Sequence, residues 1–414
     1  MMKEIIQKYR GIIRSETRRI RWLLTELEQE PQGQELLQLV EEQFFRSDSL
    51  REVEILDTGK VIDAIYRRIR SKYGILSPLL LDDAVNEIMV NGPDAIYIEK
   101  HRTLQEVDDA FLSEEELEGV IRMFASDVHR EINEANPIVD ARMANGYRVN
   151  GVLRNVALNG PALTIRKFQE EELTMEDLIR FGSLSRECAE DLEALVRCGY
   201  NLFISGGTSS GKTTMLNALA AYIGEEERVI IIEDSAELQI RHVRNKIHLE
   251  CRSANSIGKG AVTMEMLIRT SLRMRPDRII VGEVRGREVV DLIQANNTGH
   301  DGSFSTGHGN SIRGMLYRLE TMYMMDAQIP MVSIRSQIAN ALDVFIHLRR
   351  DSEGARRVVE IAEMEGCDGM EYRLNYLYTQ GENGELVRTG NPLIHWEKLI
   401  RGRQNDKLKG SGEA

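Results

Sequence analysis

The sequence predicts an α/β protein built around a largely parallel β-sheet. Three continuous apolar runs carry this prediction, at residues 202–204, 229–232 and 279–281. Such runs are typical of strands that helices cover on both faces. Between the first two runs, Leu216 and Leu219 mark one apolar face of a helix. The order strand, helix, strand therefore favours a parallel sheet with helical connections.

Length and charge bound the possible functions. The chain has 414 residues, which suggests two or three domains at about 150 residues each. It carries 53 Lys and Arg against 66 Asp and Glu, a net charge of −13, which argues against nucleic acid as the main partner. No apolar run approaches the ~18 residues of a membrane span, and charges interrupt the start, unlike a signal peptide. The four cysteines lie far apart, so neither a disulfide framework nor a zinc site is expected.

Residues 1–65 are predicted to form a helical N-terminal arm. Residues 1–21 contain seven Lys or Arg and two Glu, whereas residues 26–54 contain nine acids and two Arg. These charges indicate either solvated helical faces or a docking arm for a partner or an acidic membrane surface.

Residues 66–170 are predicted to form a mixed α and β domain. Residues 95–98 resemble a short strand, and Ser113 with Glu116 fits a capping box before a helix. A polar linker is expected at 171–185, followed by the α/β domain at 186–402 and a disordered tail at 403–414.

One glycine-rich segment has the spacing of a phosphate-binding loop. It reads GGTSSGKT, matches GxxxxGK[ST], and lies between the first apolar run and the helix. Glycines let successive backbone N–H groups turn towards phosphate oxygens, and the helix start adds its positive end. Lys212 would reach the β- and γ-phosphates and Thr213 would hold Mg²⁺, so ATP and Mg²⁺ are the expected cofactors; the alternative is a glycine-rich turn without nucleotide. The predicted binding residues are Gly206, Gly207, Thr208, Ser209, Ser210, Gly211, Lys212, Thr213 and Thr214.

Carboxylates follow the other two apolar runs. Glu283 comes after 279–281, and Glu233, Asp234 and Glu237 follow 229–232. Carboxyl ends of parallel strands meet at the edge where ligands bind. Glu283 is therefore predicted to polarise an attacking water, with Glu233 and Asp234 holding Mg²⁺ through water or orienting Glu283; the alternative is acids that end strands at the surface.

Histidines and arginines leave more alternatives open. His300 and His308 lie in a glycine-rich segment, where they could bind a metal, sense a γ-phosphate or cap turns. Arginines such as Arg142, Arg148 and Arg166 form surface ion pairs by default, although a γ-phosphate needs positive counter-charge.

Taken together, several motifs resemble the secretion ATPases of the type II/type IV secretion superfamily, and within it the CpaF-like branch of tight-adherence (Flp) pili. A cysteine-rich zinc insert of type II secretion ATPases is missing, which favours that branch and predicts no zinc. The matching segments are 86–99, 136–152, 163–168, the phosphate loop, 230–240 (the Asp box), 272–286 (Walker B), 298–311 (the His box) and 335–350.

The resemblance implies a homohexameric ring of subunits in which a RecA-like P-loop motor domain follows a PAS-like α+β domain, with ATP between them. It makes Glu283 the catalytic glutamate, with Lys212 and His308 also catalytic and His300 upstream. Glu233, Asp234 and Glu237 fall on its Asp box. The family pattern also implies that Arg142, Arg148 and Arg166 approach the nucleotide. The His box departs from relatives in having Gly307 and Gly309 around the histidine.

The expected function is that of an ATP-hydrolysing hexameric motor for pilus assembly or protein secretion. It would work in the cytoplasm at the inner face of the membrane, with an inner-membrane platform protein as partner and no nucleic acid. The alternatives are a conjugation-type type IV secretion ATPase, a nucleotide-gated scaffold with little turnover, and a nucleic-acid translocase, which the net charge disfavours.

Overall fold

A computed structural model divides the chain into two compact units, Met1–Gln169 and Glu170–Ala414. The structure describes residues 1–27, 31–100, 103–167, 173–252, 254, 259–326, 329–351, 354–381 and 383–400. The predicted tail at 403–414 lies outside the described residues. Within the described part of the chain, every helix is too short or too polar to span a bilayer.

The first unit begins with helices that pack on one another through apolar side chains. Ile13, Val40, Phe44 and Ile65 are fully buried in this cluster, and two charged residues of these helices, Glu16 and Arg68, are buried as well. The helices of the first unit are α1 (Met2–Lys8), α2 (Arg10–Thr25), α3 (Gly33–Phe45), α4 (Thr58–Ile69), α5 (Ser77–Leu81) and α6 (Glu114–Asp127), with 3-10 turns at Asp48–Glu52 and Gly74–Leu76.

The rest of the first unit is an antiparallel sheet with its own core. Its strands are β1 (Val85–Asn91), β2 (Ile96–Lys100), β3 (Thr103–Glu106), β4 (Ile138–Arg142), β5 (Arg148–Val152) and β6 (Ala162–Arg166), in the order β3-β2-β1-β6-β5-β4. Helix α6 starts at the predicted cap, where the Ser113 hydroxyl accepts from the Glu116 N–H at 3.3 Å. Its buried Leu117, Ile121 and Phe124 join the core of this sheet.

The second unit contains a larger sheet. Its helices are α7 (Met175–Arg180), α8 (Arg186–Arg197), α9 (Lys212–Ala220), α10 (Met264–Ser271), α11 (Glu288–Asn297), α12 (Ile312–Met324) and α13 (Met331–Ala341). Its strands are β7 (Leu202–Gly206), β8 (Val229–Glu233), β9 (Lys246–Glu250), β10 (Arg278–Val284), β11 (Phe304–His308), β12 (Val344–Arg350), β13 (Arg356–Cys367), β14 (Tyr372–Gln380) and β15 (Leu386–Arg388).

The described strands of the second unit run in the order β15-β14-β13-β12-β7-β11-β10-β8-β9. Every neighbouring pair from β12 to β9 is parallel, whereas β12 to β15 pair antiparallel. Strands β7 and β8 are buried at every position, with one apolar cluster on each face of the sheet. The predicted α/β fold class is confirmed, and the continuous apolar runs are these doubly covered strands. The antiparallel extension was not predicted.

The predicted linker differs from the structure. Within 171–185, helix α7 starts with a capping box between Thr174 and Asp177. Met175, Leu178 and Leu184 are buried in the apolar cluster of the second unit. Because these three side chains supply an apolar face, this polar stretch folds against the second unit.

Candidate active site

The glycine-rich loop, His308 and the two predicted glutamates, Glu283 and Glu233, lie at one edge of the large sheet. Strands β7, β11, β10 and β8 are neighbours and parallel, so their carboxyl ends meet at the same edge. Gly206 ends β7, His308 ends β11, Glu283 is next to last on β10 and Glu233 ends β8. Since β11 lies between β7 and β10, His308 stands between the glycine-rich loop and Glu283.

The loop after β7 has the tight backbone that a phosphate cradle needs. Ser209 and Gly211 have φ values of 57° and 95°, and helix α9 begins directly after Gly211. A Cβ on Gly206 would lie 2.4 Å from the Ser210 hydroxyl and 2.6 Å from the Leu348 carbonyl oxygen, so only glycine fits there. The loop therefore makes a tight turn directly before the amino end of α9.

Two side chains in this loop fit a polyphosphate. The Lys212 amine donates to the carbonyl oxygens of Gly207 at 2.9 Å and Gly206 at 3.3 Å. Burial lowers the pKa of this amine, so a nearby anion would stabilise its charged form. The Ser210 hydroxyl is buried and has no hydrogen-bond partner among the described residues. A buried, unpaired hydroxyl beside a lysine is what a bound phosphate oxygen would satisfy.

Glu283 is held between two cationic or polar side chains. Its Oε2 atom accepts from the Arg285 guanidinium at 2.8 Å, and its Oε1 atom lies 2.8 Å from Nε2 of His308. The Glu283 side chain is only 19% exposed. Oε2 is thus fixed by a hydrogen bond from Arg285, whereas Oε1 is buried without a hydrogen-bond partner among the described residues.

His308 joins Glu283 to Lys212. Its Nδ1 atom lies 3.5 Å from the Lys212 amine, on the opposite side of the ring from Glu283. Burial and the Lys212 charge lower the pKa of His308, against the opposing effect of Glu283. The ring is therefore neutral near pH 7. A proton on Nε2 suits the carboxylate, and the free Nδ1 lone pair suits the ammonium group.

Glu233 and Asp234 act on their own segment and on Arg285. The buried Glu233 carboxylate accepts from the N–H groups of Glu237 at 2.9 Å and Leu238 at 3.2 Å, and lies 2.5 Å from Nε2 of His248. Asp234 lies 3.5 Å from Arg285, the residue that holds Glu283. Asp234 is therefore linked to Glu283 through Arg285, whereas the predicted roles of Glu233 and Asp234 in holding Mg²⁺ or orienting Glu283 stay predictions.

The chain is similar in sequence to proteins of secretion and conjugation systems. The family described as type II/IV secretion system protein matches residues 70–408. The chain belongs to this family. A putative conjugal transfer protein of Mycobacterium tuberculosis is 34% identical over 302 residues, 72% of this chain and 85% of the relative. Conjugal transfer protein TrbB of Rhizobium radiobacter is 32% identical over 326 residues, 76% of this chain and 94% of the relative.

A solved structure supports the fold of this secretion-family chain. The ATPase DotB of Legionella pneumophila is 18% identical, with a TM-score of 0.52, over 71% of this chain and 81% of DotB. The predicted type II/type IV secretion superfamily is confirmed, and the CpaF-like branch stays a prediction.

One predicted residue of the family motif lies elsewhere. His300 precedes β11, and its Nδ1 atom lies 3.1 Å from the Ala295 carbonyl oxygen. It is therefore at the amino end of β11, away from the edge that holds His308 at the carboxyl end. By contrast, Thr213 and Thr214 lie in the first turn of α9, next to Lys212.

Three predicted arginines form a row on the sheet of the first unit. Arg142 pairs with Arg148 across β4 and β5, and Arg148 pairs with Arg166 across β5 and β6. Arg166 lies opposite Glu87 on β1, with 3.7 Å between guanidinium and carboxylate. Directly paired residues share one face of a sheet, so three positive charges stand side by side there. Their approach to a nucleotide stays a prediction.

Sequence reasoning missed the roles of three side chains. Arg285 was one of many arginines, although it comes directly after β10 and its guanidinium donates to Glu283, two residues before it. His248 contacts Glu233 from β9, and Arg356 donates to the Ser209 carbonyl oxygen from β13. No motif marks the last two, because sheet pairing alone brings them to the site.

Proposed function

We propose that this secretion-family chain is an ATP-hydrolysing motor that assembles as a homohexameric ring. Its work would be tight-adherence pilus assembly, as in the CpaF-like branch, or protein secretion. One observation carries the proposal: the His308 ring lies between Glu283 and Lys212, with its Nε2 atom 2.8 Å from Oε1 of Glu283 and its Nδ1 atom 3.5 Å from the amine of Lys212. A water activator and a phosphate-binding amine are the groups that hydrolysis requires.

Each residue then has a chemical task. The loop N–H groups, the Ser210 hydroxyl and the Lys212 amine bind the β- and γ-phosphates. Thr213 would hold Mg²⁺, with Glu233 acting through water, and the ion would neutralise charge on the phosphate oxygens. Glu283 orients and polarises the attacking water, because its carboxylate is fixed by Arg285 and faces the neutral ring of His308.

Coupling to motion would use the arginine row of the first unit. Arg142, Arg148 and Arg166 would supply counter-charge to the γ-phosphate, from the same subunit or a neighbour. Loss of the γ-phosphate on hydrolysis would remove its contact with these arginines. The relative populations of two conformations of the motor would change as a result. The ring would act in the cytoplasm at the inner face of the membrane, on an inner-membrane platform protein.

A conjugation-type type IV secretion ATPase is the second candidate. It is favoured by the two relatives named as conjugal transfer proteins, which this chain covers over 85% and 94% of their length. The genes next to the gene of this chain distinguish the two candidate functions. Prepilin-like genes would indicate a pilus machine, and conjugation genes would indicate the second candidate.

Phosphate release by purified wild type, Lys212→Ala and Lys60→Ala tests the motor. Lys60 is an exposed lysine of α4 and serves as the matched control. We expect Mg²⁺-dependent turnover in wild type and Lys60→Ala, loss of nucleotide binding in Lys212→Ala, and a ring-sized species with ATP. Tight binding without turnover would instead indicate a nucleotide-gated scaffold, and a strict monomer with and without ATP would contradict the ring.

A further inference from the structure

The hairpin of β12 and β13 ends in four arginines that face each other in pairs. Arg349 lies opposite Arg357, and Arg350 lies opposite Arg356. Like charges directly opposite each other destabilise a sheet unless a counter-charge is near. Asp351 provides one such charge, at 3.5 Å from Arg357. Residues 349–357 contain four arginines against Asp351 and Glu353, so this segment carries a net charge of +2.

Topology brings this basic end to the phosphate loop. β12 is parallel to β7, with Leu348 paired to Gly206, so the hairpin leaves the sheet at the edge where the loop begins. Successive side chains on a strand point to opposite faces. Arg357 accordingly donates to the Gly182 carbonyl oxygen at 3.0 Å, while its neighbour Arg356 reaches the loop.

Arg356 contacts the loop at its most constrained point. Its Nε–H donates to the Ser209 carbonyl oxygen at 3.0 Å. Ser209 has a positive φ of 57°, which a residue other than glycine rarely adopts. The aliphatic stem of Arg356 lies against Gly211, where a Cβ would be 3.4 Å from its Cδ. The guanidinium thus holds the Ser209 peptide in this unfavourable backbone conformation, and it places a positive charge beside the phosphate loop.

We infer that Arg356 is a positioning residue for nucleotide binding, and this inference rests on the proposed function. By holding the Ser209 carbonyl outward, Arg356 keeps the following N–H groups turned into the cradle, ready for the phosphates of ATP. The site takes a nucleoside triphosphate or diphosphate, and Arg356 acts on its binding more than on the chemical step. Charge-assisted hydrogen bonds of this kind contribute about tenfold in affinity.

The full-length chain carrying Arg356→Gln tests this, with Arg350→Gln as the control. Both substitutions remove one arginine from the same cross-strand pair, but only Arg356 is within hydrogen-bond distance of the loop. In Arg356→Gln we expect about tenfold weaker binding of Mg·ATP and of ADP, a matching rise in KM and a nearly unchanged kcat. Arg350→Gln should stay within about threefold of wild type because only distant charge is lost.

Hydrogen exchange of the nucleotide-free chain gives a readout besides activity. Amides of residues 207–212 should exchange faster in Arg356→Gln than in Arg350→Gln. Arg356→Lys keeps the stem and the charge, and should recover part of the affinity if Arg356→Gln folds poorly. Equal affinities and equal exchange in the two glutamine variants would overturn the inference while leaving the motor intact. A wild type that binds no nucleotide would overturn both.

Discussion

The Nε2 atom of His308 lies 2.8 Å from Oε1 of Glu283, while the Nδ1 atom of the same ring lies 3.5 Å from the amine of Lys212. This relationship follows from the strand order, because β11 lies between the strand that carries the phosphate loop and the strand that carries Glu283. A single imidazole therefore links the phosphate-binding amine to the carboxylate. A change in its protonation acts on both groups.

Replacing Glu283 by glutamine should strongly reduce turnover and spare nucleotide binding. The amide keeps the shape of the side chain and its place beside Arg285, but it no longer draws a proton from water. Loss of a general base costs about 10²–10⁴-fold in rate. We expect phosphate release to fall by at least about 100-fold in Glu283→Gln, with ATP affinity within a few-fold of wild type. The exposed Glu225→Gln is the matched control, and equal turnover in both variants would show that Glu283 is not the base.

The pH profile should report His308. Its lowered pKa places protonation below the ordinary histidine value of about 6.5, so the ring is neutral at pH 7–8 and gains charge only on acidification. A protonated ring would pair with Glu283 and weaken it as a base. We therefore expect kcat/KM to fall with decreasing pH, with a midpoint below about 6.5.

His308→Gln should lose this acid limb, whereas His242→Gln should keep it. Within the described chain, Nε2 of His242 lies 3.0 Å from the Ile223 carbonyl oxygen, and His242 makes no hydrogen bond to Glu283, His308 or Lys212. The rate of phosphate release between pH 5 and pH 8 is the measurement, at saturating and limiting ATP. An identical acid limb in His308→Gln would assign it to another group.

Ser210→Ala should separate stability from binding. The Ser210 hydroxyl is buried without a hydrogen-bond partner in the described chain, so its removal leaves no donor or acceptor unpaired. We expect the free energy of unfolding of the nucleotide-free protein to stay equal or to rise by up to about 1 kcal/mol. ATP affinity should fall about five- to tenfold, because the phosphate loses a hydrogen bond. Urea unfolding and nucleotide titration measure the two effects, and destabilisation with unchanged affinity would contradict this role.

Much of the large sheet could be predicted from sequence, for a physical reason. Strands buried on both faces are continuous apolar runs, so β7, β8 and β10 could be predicted. Because parallel strands end at one edge of a sheet, the acids at their carboxyl ends could be predicted to lie at that edge. Strands β13 to β15 did not stand out, because they mix buried and exposed residues and lie at one side of the sheet.

Spacing along the chain does not say at which edge a residue lies. His300 and His308 are close in sequence, but β11 runs between them and separates them to opposite ends of the strand. Arg356 is far from Ser209 in sequence and carries no motif, yet parallel pairing of β12 with β7 brings it to the loop. Such contacts depend on strand order, which a single sequence does not specify.

Gly282→Ala should destabilise the second unit and disturb the site. A Cβ on residue 282 would lie 2.8 Å from Cγ of Glu233, which is 3% exposed and held by the N–H groups of Glu237 and Leu238. Since this side chain has no room to retreat, the strand must shift. Overpacking of this kind costs about 1–3 kcal/mol.

The matched control is Gly286→Ala, two residues past the end of the same strand. There the nearest atom to a new Cβ is the flexible carboxylate of Glu288 at 3.4 Å, an ordinary contact. Urea unfolding should show the loss for Gly282→Ala and less than about 1 kcal/mol for Gly286→Ala. Because the displaced Glu233 anchors the segment next to Arg285, turnover should fall with Gly282→Ala even where the protein is folded. Equal stability and equal turnover in both variants would mean that Glu233 can move, and that its contacts do not hold Glu283 in place.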